Sequence, residues 1–232
     1  MIFLPNKPLD TVRAVFYPDR CCFCGKVVIH DTELCPDCRQ NEKPVETPKC
    51  SACGKSKKDC SCKGKSNFYN GITAPYNYKG NVRNGILRWK YGGAFRSVGF
   101  FGKIVAQSVR DDFDYLKTDV ITFVPQTKAE ARERGENQGE ILANEVGKIM
   151  NIPVKPLLVK LFETERQHDL PWYMKSGNVF GVFGCPDISA VEGKTILLID
   201  DVKTSGKTLN ECAKVLHLNG AAEVYCAVIG VS

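Results

Sequence analysis

Two sets of chemistry-bearing residues stand apart in the 232-residue chain. The first is Thr195-Ile-Leu-Leu-Ile-Asp-Asp-Val-Lys-Thr-Ser-Gly-Lys-Thr208. An uncharged, apolar run ends in paired carboxylates, Asp200 and Asp201, and passes through hydroxyls and Gly206 into a helical pattern at Leu209, Cys212, Ala213 and Leu216. This is the pattern of a buried strand, an acidic tip at its carboxyl end, and an anion-binding turn at a helix N-terminus. Backbone N–H groups around Thr204 to Thr208 would face a phosphate, with the hydroxyls of Thr204, Ser205 and Thr208 as further donors. A merely solvated turn would have no use for two adjacent carboxylates. A nucleotide-triphosphatase loop is excluded, because Asp201 occupies the position where that motif needs its first glycine, and Ile188 does so for the other Gly-Lys-Thr at 193–195.

The second set is cysteine. Nine of the twelve fall between Cys21 and Cys62. They include the pairs Cys21/Cys24, Cys35/Cys38, Cys50/Cys53 and Cys60/Cys62. A C-x-x-C turn lets two thiolates reach one tetrahedral ion, and two such turns close its shell. Gly25 and Gly54 each follow a pair directly, as a knuckle turn requires. The simplest reading places one zinc on Cys21, Cys24, Cys35 and Cys38 and another on Cys50, Cys53, Cys60 and Cys62, with Cys22 as the spare. A crossed pairing, first with third and second with fourth, fits the spacing as well. Four thiolates leave no open position, so these metals are structural. A redox role for one C-x-x-C is disfavoured by four pairs in succession.

Charge and composition frame both sets. With 43% hydrophobic and 25% charged residues the chain reads as a globular protein with one larger domain and one small one. No apolar run approaches a membrane span, and Met1 to Pro8 lacks the regions of a signal peptide, so a cytoplasmic location is expected. Residues 1–70 hold twelve Lys/Arg against eight Asp/Glu, so the basic excess concentrates around the cysteines. That is compatible with a polyanion partner there, and equally with solubility alone.

The elements that must position these residues follow from periodicity. Residues 1–66 form the cysteine module, with a short amphipathic helix expected over 10–17, and residues 67–232 form the larger domain. In the latter, Phe68 to Tyr78 reads as a strand or hairpin, Val82 to Tyr91 and Phe95 to Arg110 as helices, and Val120 to Val124 as a buried strand. A helix over 140–150, a strand candidate at 154–161, the 195–200 strand with its helix to Leu218, and a strand over 224–229 complete a β-α-β-α-β series. The expected architecture is α/β, a parallel sheet with flanking helices. Lys128, Arg132 and Arg134 lie just past the Val120–Val124 strand, where an open α/β sheet binds ligand, although the interleaved Glu130, Glu133 and Glu136 also suit a solvated face. The segment 162–183 shows no period and suits a lid or small hood.

The Asp200–Thr208 arrangement resembles the diphosphosugar-binding signature of type I phosphoribosyltransferases. The chain as a whole resembles the ComF family, phosphoribosyltransferase-like proteins associated with late competence. The resemblance rests on the paired cysteines, Tyr78-Lys79-Gly80 leading to Lys90-Tyr91-Gly92, and Val124-Pro125 with Arg132-Glu-Arg-Gly135 and Asn137-Gln138. It continues through Thr164, Gln167, Leu170 and Asn178 to Phe183, and ends in the paired aspartates. The chain departs from the family pattern at Glu136, where an aromatic is usual, and at Lys175, where arginine is.

The resemblance implies that Asp200 and Asp201 hold the ribose hydroxyls of phosphoribosyl diphosphate, directly or through Mg²⁺. It implies that Thr204, Ser205, Gly206, Lys207 and Thr208 hold the 5′-phosphate, and that Lys128, Arg132 and Arg134 meet the diphosphate. Two functions follow as expectations. One is a Mg²⁺-dependent phosphoribosyltransferase supporting DNA uptake. The other is a non-catalytic protein that associates with single-stranded DNA or a partner such as a competence helicase, and uses the pocket as a sensor. The aromatics Phe68, Tyr69, Tyr76 and Tyr78 are candidates for base stacking in the second.

Overall fold

A computed structural model describes residues 18–62, 66–93, 96–113, 117–126, 135–161 and 182–232. The helix expected over 10–17, the cations Lys128, Arg132 and Arg134, and most of the 162–183 segment lie outside the described residues. The chain divides into two compact units, one from Met1–Lys43 and Lys79–Phe100, the other from Pro44–Tyr78 and Phe101–Ser232.

The first unit holds the first two cysteine pairs. The knuckle closes through Gly25 N–H to the Cys21 carbonyl at 3.0 Å and Cys21 N–H to the Lys26 carbonyl at 2.8 Å, with Gly25 at φ 79°. A short helix, α1 (Pro36–Asn41), carries Cys38 inward. Helix α2 (Gly80–Gly92) ends at Gly93 in the left-handed conformation, φ 64°, a glycine cap. The buried face of α2 is Val82, Gly85, Ile86 and Trp89. Gly85 is where α2 meets the knuckle, because a Cβ there would stand 2.3 Å from the Cys22 carbonyl oxygen. One turn on, Arg88 Nη2 donates to the carbonyls of Cys21 and Cys22, each at 3.1 Å.

The second unit is built on a parallel sheet. Its strands are β1 (Gly71–Thr73), β3 (Val120–Phe123), β6 (Thr195–Ile199) and β8 (Glu223–Ala227), in the order β1-β8-β6-β3. Three strands resume after a two-residue break as β2 (Tyr76–Asn77), β7 (Val202–Lys203) and β9 (Gly230–Val231), again parallel and in the same lateral order, β2-β9-β7. The stretch expected as a strand or hairpin over 68–78 is therefore one strand in two pieces. Pro75, with no N–H to give, marks its break, and its carbonyl instead accepts from Val45 N–H at 2.8 Å.

The described residues also form helices α3 (Ser97–Phe113), α4 (Gln138–Met150) and α5 (Lys207–Leu218). The stripe expected on α5 is buried at Leu209, Cys212, Ala213 and Leu216. The 154–161 strand candidate forms only a parallel bridge between Val154 and Ile121 and the short β4 (Val159–Lys160), which pairs antiparallel with β5 (Phe183–Gly184). The core gathers Ile72, Val120, Ile196, Leu198, Leu209, Leu216, Val224 and Cys226. Val154 lies on the outer side of β3, while the β6 connection runs the other way to β8. The carboxyl ends of β3 and β6 thus flank a topological switch point, the place where open α/β sheets take ligands.

Candidate functional site

Asp200 and Asp201 are the break between β6 and β7, and both are half-buried. Their backbone is tied to the neighbouring strand on both sides of the break. Asp200 N–H donates to the Ala227 carbonyl at 3.2 Å, and Ile229 N–H donates to the Asp201 carbonyl at 3.0 Å. Asp200 Oδ1 accepts from Asp201 N–H at 2.8 Å, which fixes the first carboxylate at the strand tip.

The turn that follows has the form expected. Thr204, Ser205, Lys207 and Thr208 are exposed, and Gly206, at φ 78°, is the N-cap of α5. A side-chain N-cap is absent here, so the first N–H groups of α5 are committed only in part, by a 3.4 Å contact from Lys207 N–H to Ser205 Oγ. Two observations go beyond the sequence reading. Val202 and Lys203 continue the strand rather than the loop, and Lys203 is turned inward with only 7% of its surface exposed. Periodicity conceals this, because a lysine among hydroxyls reads as a solvent-facing side chain. Pairing of Val202 with Gly230 and Lys203 with Val231 sets its direction.

Across the switch point, α4 begins at the end of β3. Asn137 caps it, with Oδ1 accepting from Gly139 N–H at 2.9 Å and Glu140 N–H at 3.3 Å, while its Nδ2 donates to the Val124 carbonyl at 3.1 Å. A Cβ on Gly139 would stand 3.5 Å from the Val124 oxygen and 3.8 Å from the Ile199 oxygen, so this helix end sits between the two strand ends. A cleft of about 640 Å³ opens beside it, lined in part by Gln126, Asn137, Glu140, Asn144 and Lys160. Gln126 Oε1 is buried there and has no hydrogen-bond partner among the described residues. The three cations expected for a diphosphate are outside the described residues, so that part of the expectation stands as a proposal.

The cysteines gather as two sequential sets, Cys21/Cys24/Cys35/Cys38 and Cys50/Cys53/Cys60/Cys62, each with its sulfur atoms within 4.8 Å of one another. The crossed pairing is thereby excluded. Cys24 and Cys35 sulfurs are 3.6 Å apart and Cys53 and Cys60 sulfurs 3.7 Å. Sulfurs at the corners of a tetrahedron around zinc, each about 2.3 Å from the ion, stand about 3.8 Å apart, so both sets fit that ion. Burial pushes the Cys21 thiol up, but backbone N–H groups of Cys24, Cys35 and Phe23 prevail and hold it at about 7. The Cys62 N–H, with neighbouring thiols, holds Cys60 at about 7 as well, while burial first and neighbouring thiols second push Cys53 up to about 12. A third gathering, Asp19, His30 and Asp31, is occupied by the Arg96 guanidinium, which pairs with both aspartates.

The second set belongs structurally to the sheet. Tyr69 Oη and Asn67 Nδ2 both donate to the Ala52 carbonyl, at 2.7 and 3.0 Å, and Ile72 N–H donates to the Ser51 carbonyl at 3.0 Å.

Comparison with known proteins agrees with this geometry. Residues 12–67 match the double zinc ribbon domain, and residues 136–230 match the phosphoribosyl transferase domain. The chain is 26% identical over 208 residues to competence protein ComFC of Streptococcus pneumoniae, covering 84% of this chain and 86% of that protein. It is 25% identical over 221 residues to competence protein F of Haemophilus influenzae, covering 90% of this chain and 95% of that protein. Among solved structures, the glutamine phosphoribosylpyrophosphate amidotransferase from B. subtilis, complexed with ADP and GMP, aligns with a TM-score of 0.42 and 20% identity over 56% of this chain and 25% of that chain. The chain is thus a double-zinc-ribbon protein carrying a phosphoribosyl transferase fold. Along most of its length it is similar to the two competence proteins, in keeping with the resemblance to the ComF family.

Proposed function

We propose that the chain binds phosphoribosyl diphosphate with Mg²⁺ at the Asp200–Thr208 loop, transfers the phosphoribosyl group to an acceptor, and supports DNA uptake from the cytoplasm. The observation that carries this reading is the paired aspartates at the β6 break, followed by a hydroxyl-rich turn with left-handed Gly206 at the head of α5. Asp200 and Asp201 would hold the ribose hydroxyls, and Thr204, Ser205, Gly206, Lys207 and Thr208 the 5′-phosphate. Lys128, Arg132 and Arg134 would meet the diphosphate. The two carboxylates are hard oxygen donors of the kind Mg²⁺ takes, and the ion would neutralise charge on the leaving diphosphate. In the transfer, the bond from C1 to the diphosphate oxygen breaks with its electron pair leaving on diphosphate, and a bond from C1 to the acceptor forms. Positioning and cationic stabilisation of the leaving group supply the catalysis, with no base needed at C1. The link to DNA uptake rests on the names of the two competence relatives.

The test measures diphosphate release from phosphoribosyl diphosphate, and its binding by calorimetry, with and without Mg²⁺. Binding and release that both vanish in Asp200→Asn/Asp201→Asn are expected. Full turnover by that double variant would overturn the reading.

One observation favours the second reading, a protein that associates with single-stranded DNA and senses the phosphoribosyl ligand without turnover. Phe68 is 48% exposed and carries the Lys214 ammonium 5.5 Å from its ring centroid, a combination of stacking face and cation. Tyr69 and Tyr76 are buried, which removes them from any stacking surface. Under this reading Phe68→Ala weakens binding of an oligothymidylate, and binding falls steeply with salt. Affinity unchanged across salt would exclude it.

A further inference from the structure

A buried lysine lies under the candidate phosphate turn. Lys203 is more than nine-tenths buried. Burying an ammonium is costly unless an anion compensates it. Its direction is set by the turn itself. A Cβ on Gly206 would stand 2.9 Å from Lys203 Cε, 3.6 Å from Nζ and 3.7 Å from Cδ. The end of the side chain therefore runs against the α-carbon of Gly206, the residue that caps α5. Glycine is needed there for its φ of 78°, and a Cβ in its place would push the flexible end of the lysine aside. The strand places the lysine and the glycine leaves room for it.

We infer that Lys203 anchors the phosphate, its ammonium meeting from beneath the phosphomonoester that the Thr204–Thr208 turn receives from above. The partially uncommitted N–H groups at the head of α5 and the exposed hydroxyls supply directional donors, and Lys203 supplies the full positive charge. Lys207, which the turn presents to solvent, is the weaker source of that charge because water screens it. This inference rests on the reading of the loop as a phosphoribosyl site.

The experiment is calorimetry on the full, zinc-loaded chain with ribose 5-phosphate, phosphoribosyl diphosphate and Mg²⁺-diphosphate, using wild type, Lys203→Met and Lys203→Gln. Loss of a charge-assisted hydrogen bond corresponds to roughly tenfold to hundredfold weaker binding. Lys203→Met is expected to weaken ribose 5-phosphate and phosphoribosyl diphosphate by the same factor in that range, and to leave Mg²⁺-diphosphate unchanged. The ligand-free variant is expected to melt close to wild type, since it exchanges the lysine for an unbranched apolar side chain of similar length. Lys203→Gln, which keeps a donor and loses the charge, is expected to bind between the two. It also serves as the measurement if Lys203→Met does not fold. Wild type that binds neither phosphoribosyl ligand would overturn the loop reading itself. Wild type that binds both, with variants that bind equally well or that lose Mg²⁺-diphosphate equally, would overturn the role of Lys203 alone.

Discussion

Lys49 Nζ lies 2.8 Å from Asp112 Oδ2, joining the residue before Cys50 to the last turn of α3, with side chains only 9% and 15% exposed. The same ammonium reaches Ser108 Oγ at 2.8 Å and Thr73 Oγ1 at 3.3 Å, and Thr73 Oγ1 also bonds to Asp112. The chain entering the second thiolate set is thereby locked to strand β1 and helix α3 by a satisfied polar network. Removing one member leaves a buried charge without its partner. Asp112→Ala is expected to destabilise the second unit by about 3–5 kcal/mol, and Lys49→Met/Asp112→Leu by much less, because a matched apolar pair leaves no orphan. Denaturant unfolding measures both. A loss below about 1 kcal/mol for the single variant would contradict the network's role.

Zinc content gives the second expectation. The intact chain should carry two equivalents of zinc, and Cys24→Ser and Cys53→Ser one each, as read by elemental analysis of the purified protein. Only Cys53→Ser should also lower the melting temperature of the sheet. Ala52 and Ser51 of the second set are hydrogen-bonded to Tyr69, Asn67 and Ile72, and a Cβ on Gly54 would stand 3.1 Å from Val231. Equal melting temperatures for Cys53→Ser and wild type would show that this ribbon is only a passenger.

How much of this was legible in the residues depends on how local the cause is. Cysteine spacing, the Ile196–Ile199 run and the stripe on α5 are set within a few residues, and each has its place in the structure. Strand interruption is different. Val202 and Lys203 form β7 only because Gly230 and Val231 lie beside them, and that pairing joins segments almost thirty positions apart. The same distance hides Lys203, whose inward direction has no signature in its neighbours. Helix ends slip for a local reason that is easily misread. Asn137 caps α4 through Gly139 and Glu140, so the helix starts at Gln138 rather than at 140.

Tyr69 supplies a pH-dependent expectation. Burial above all, and then nearby thiols, raise its phenol well above the ordinary value near 10. The neutral form is the one the fold retains, bonded to the Ala52 carbonyl at 2.7 Å. Its contribution is therefore fully present below the unfolded value near 10 and is lost as pH rises through the higher folded one. In a spectrophotometric titration one tyrosine should ionise late, together with unfolding, and Tyr69→Phe should remove that step. The same variant should cost about 1 kcal/mol, since Asn67 Nδ2 still satisfies the Ala52 oxygen at 3.0 Å. A titration in which Tyr69→Phe and wild type superimpose would refute the assignment.

Gly85 separates helix propensity from packing. Within an isolated helix, replacing glycine by alanine is favourable by roughly 1 kcal/mol, so Gly85→Ala should stabilise α2 if propensity decided the outcome. The added Cβ, however, would stand 2.3 Å from the Cys22 carbonyl oxygen and 2.9 Å from the Phe23 Cα, main-chain atoms with no rotamer by which to withdraw. Overpacking of this kind costs about 1–3 kcal/mol, enough to reverse the sign. The knuckle would have to move off the helix, stretching the two bonds from Arg88 to the carbonyls of Cys21 and Cys22. Those carbonyls belong to the ligand Cys21 and to the residue after it, so the first thiolate set should open with the knuckle. In a Cys53→Ser background, where the first set alone holds zinc, Gly85→Ala is expected to speed transfer of zinc to a chromogenic chelator and to lower the melting temperature. A variant that melts higher and releases zinc no faster would show that the contact yields, and that α2 does not clamp the knuckle.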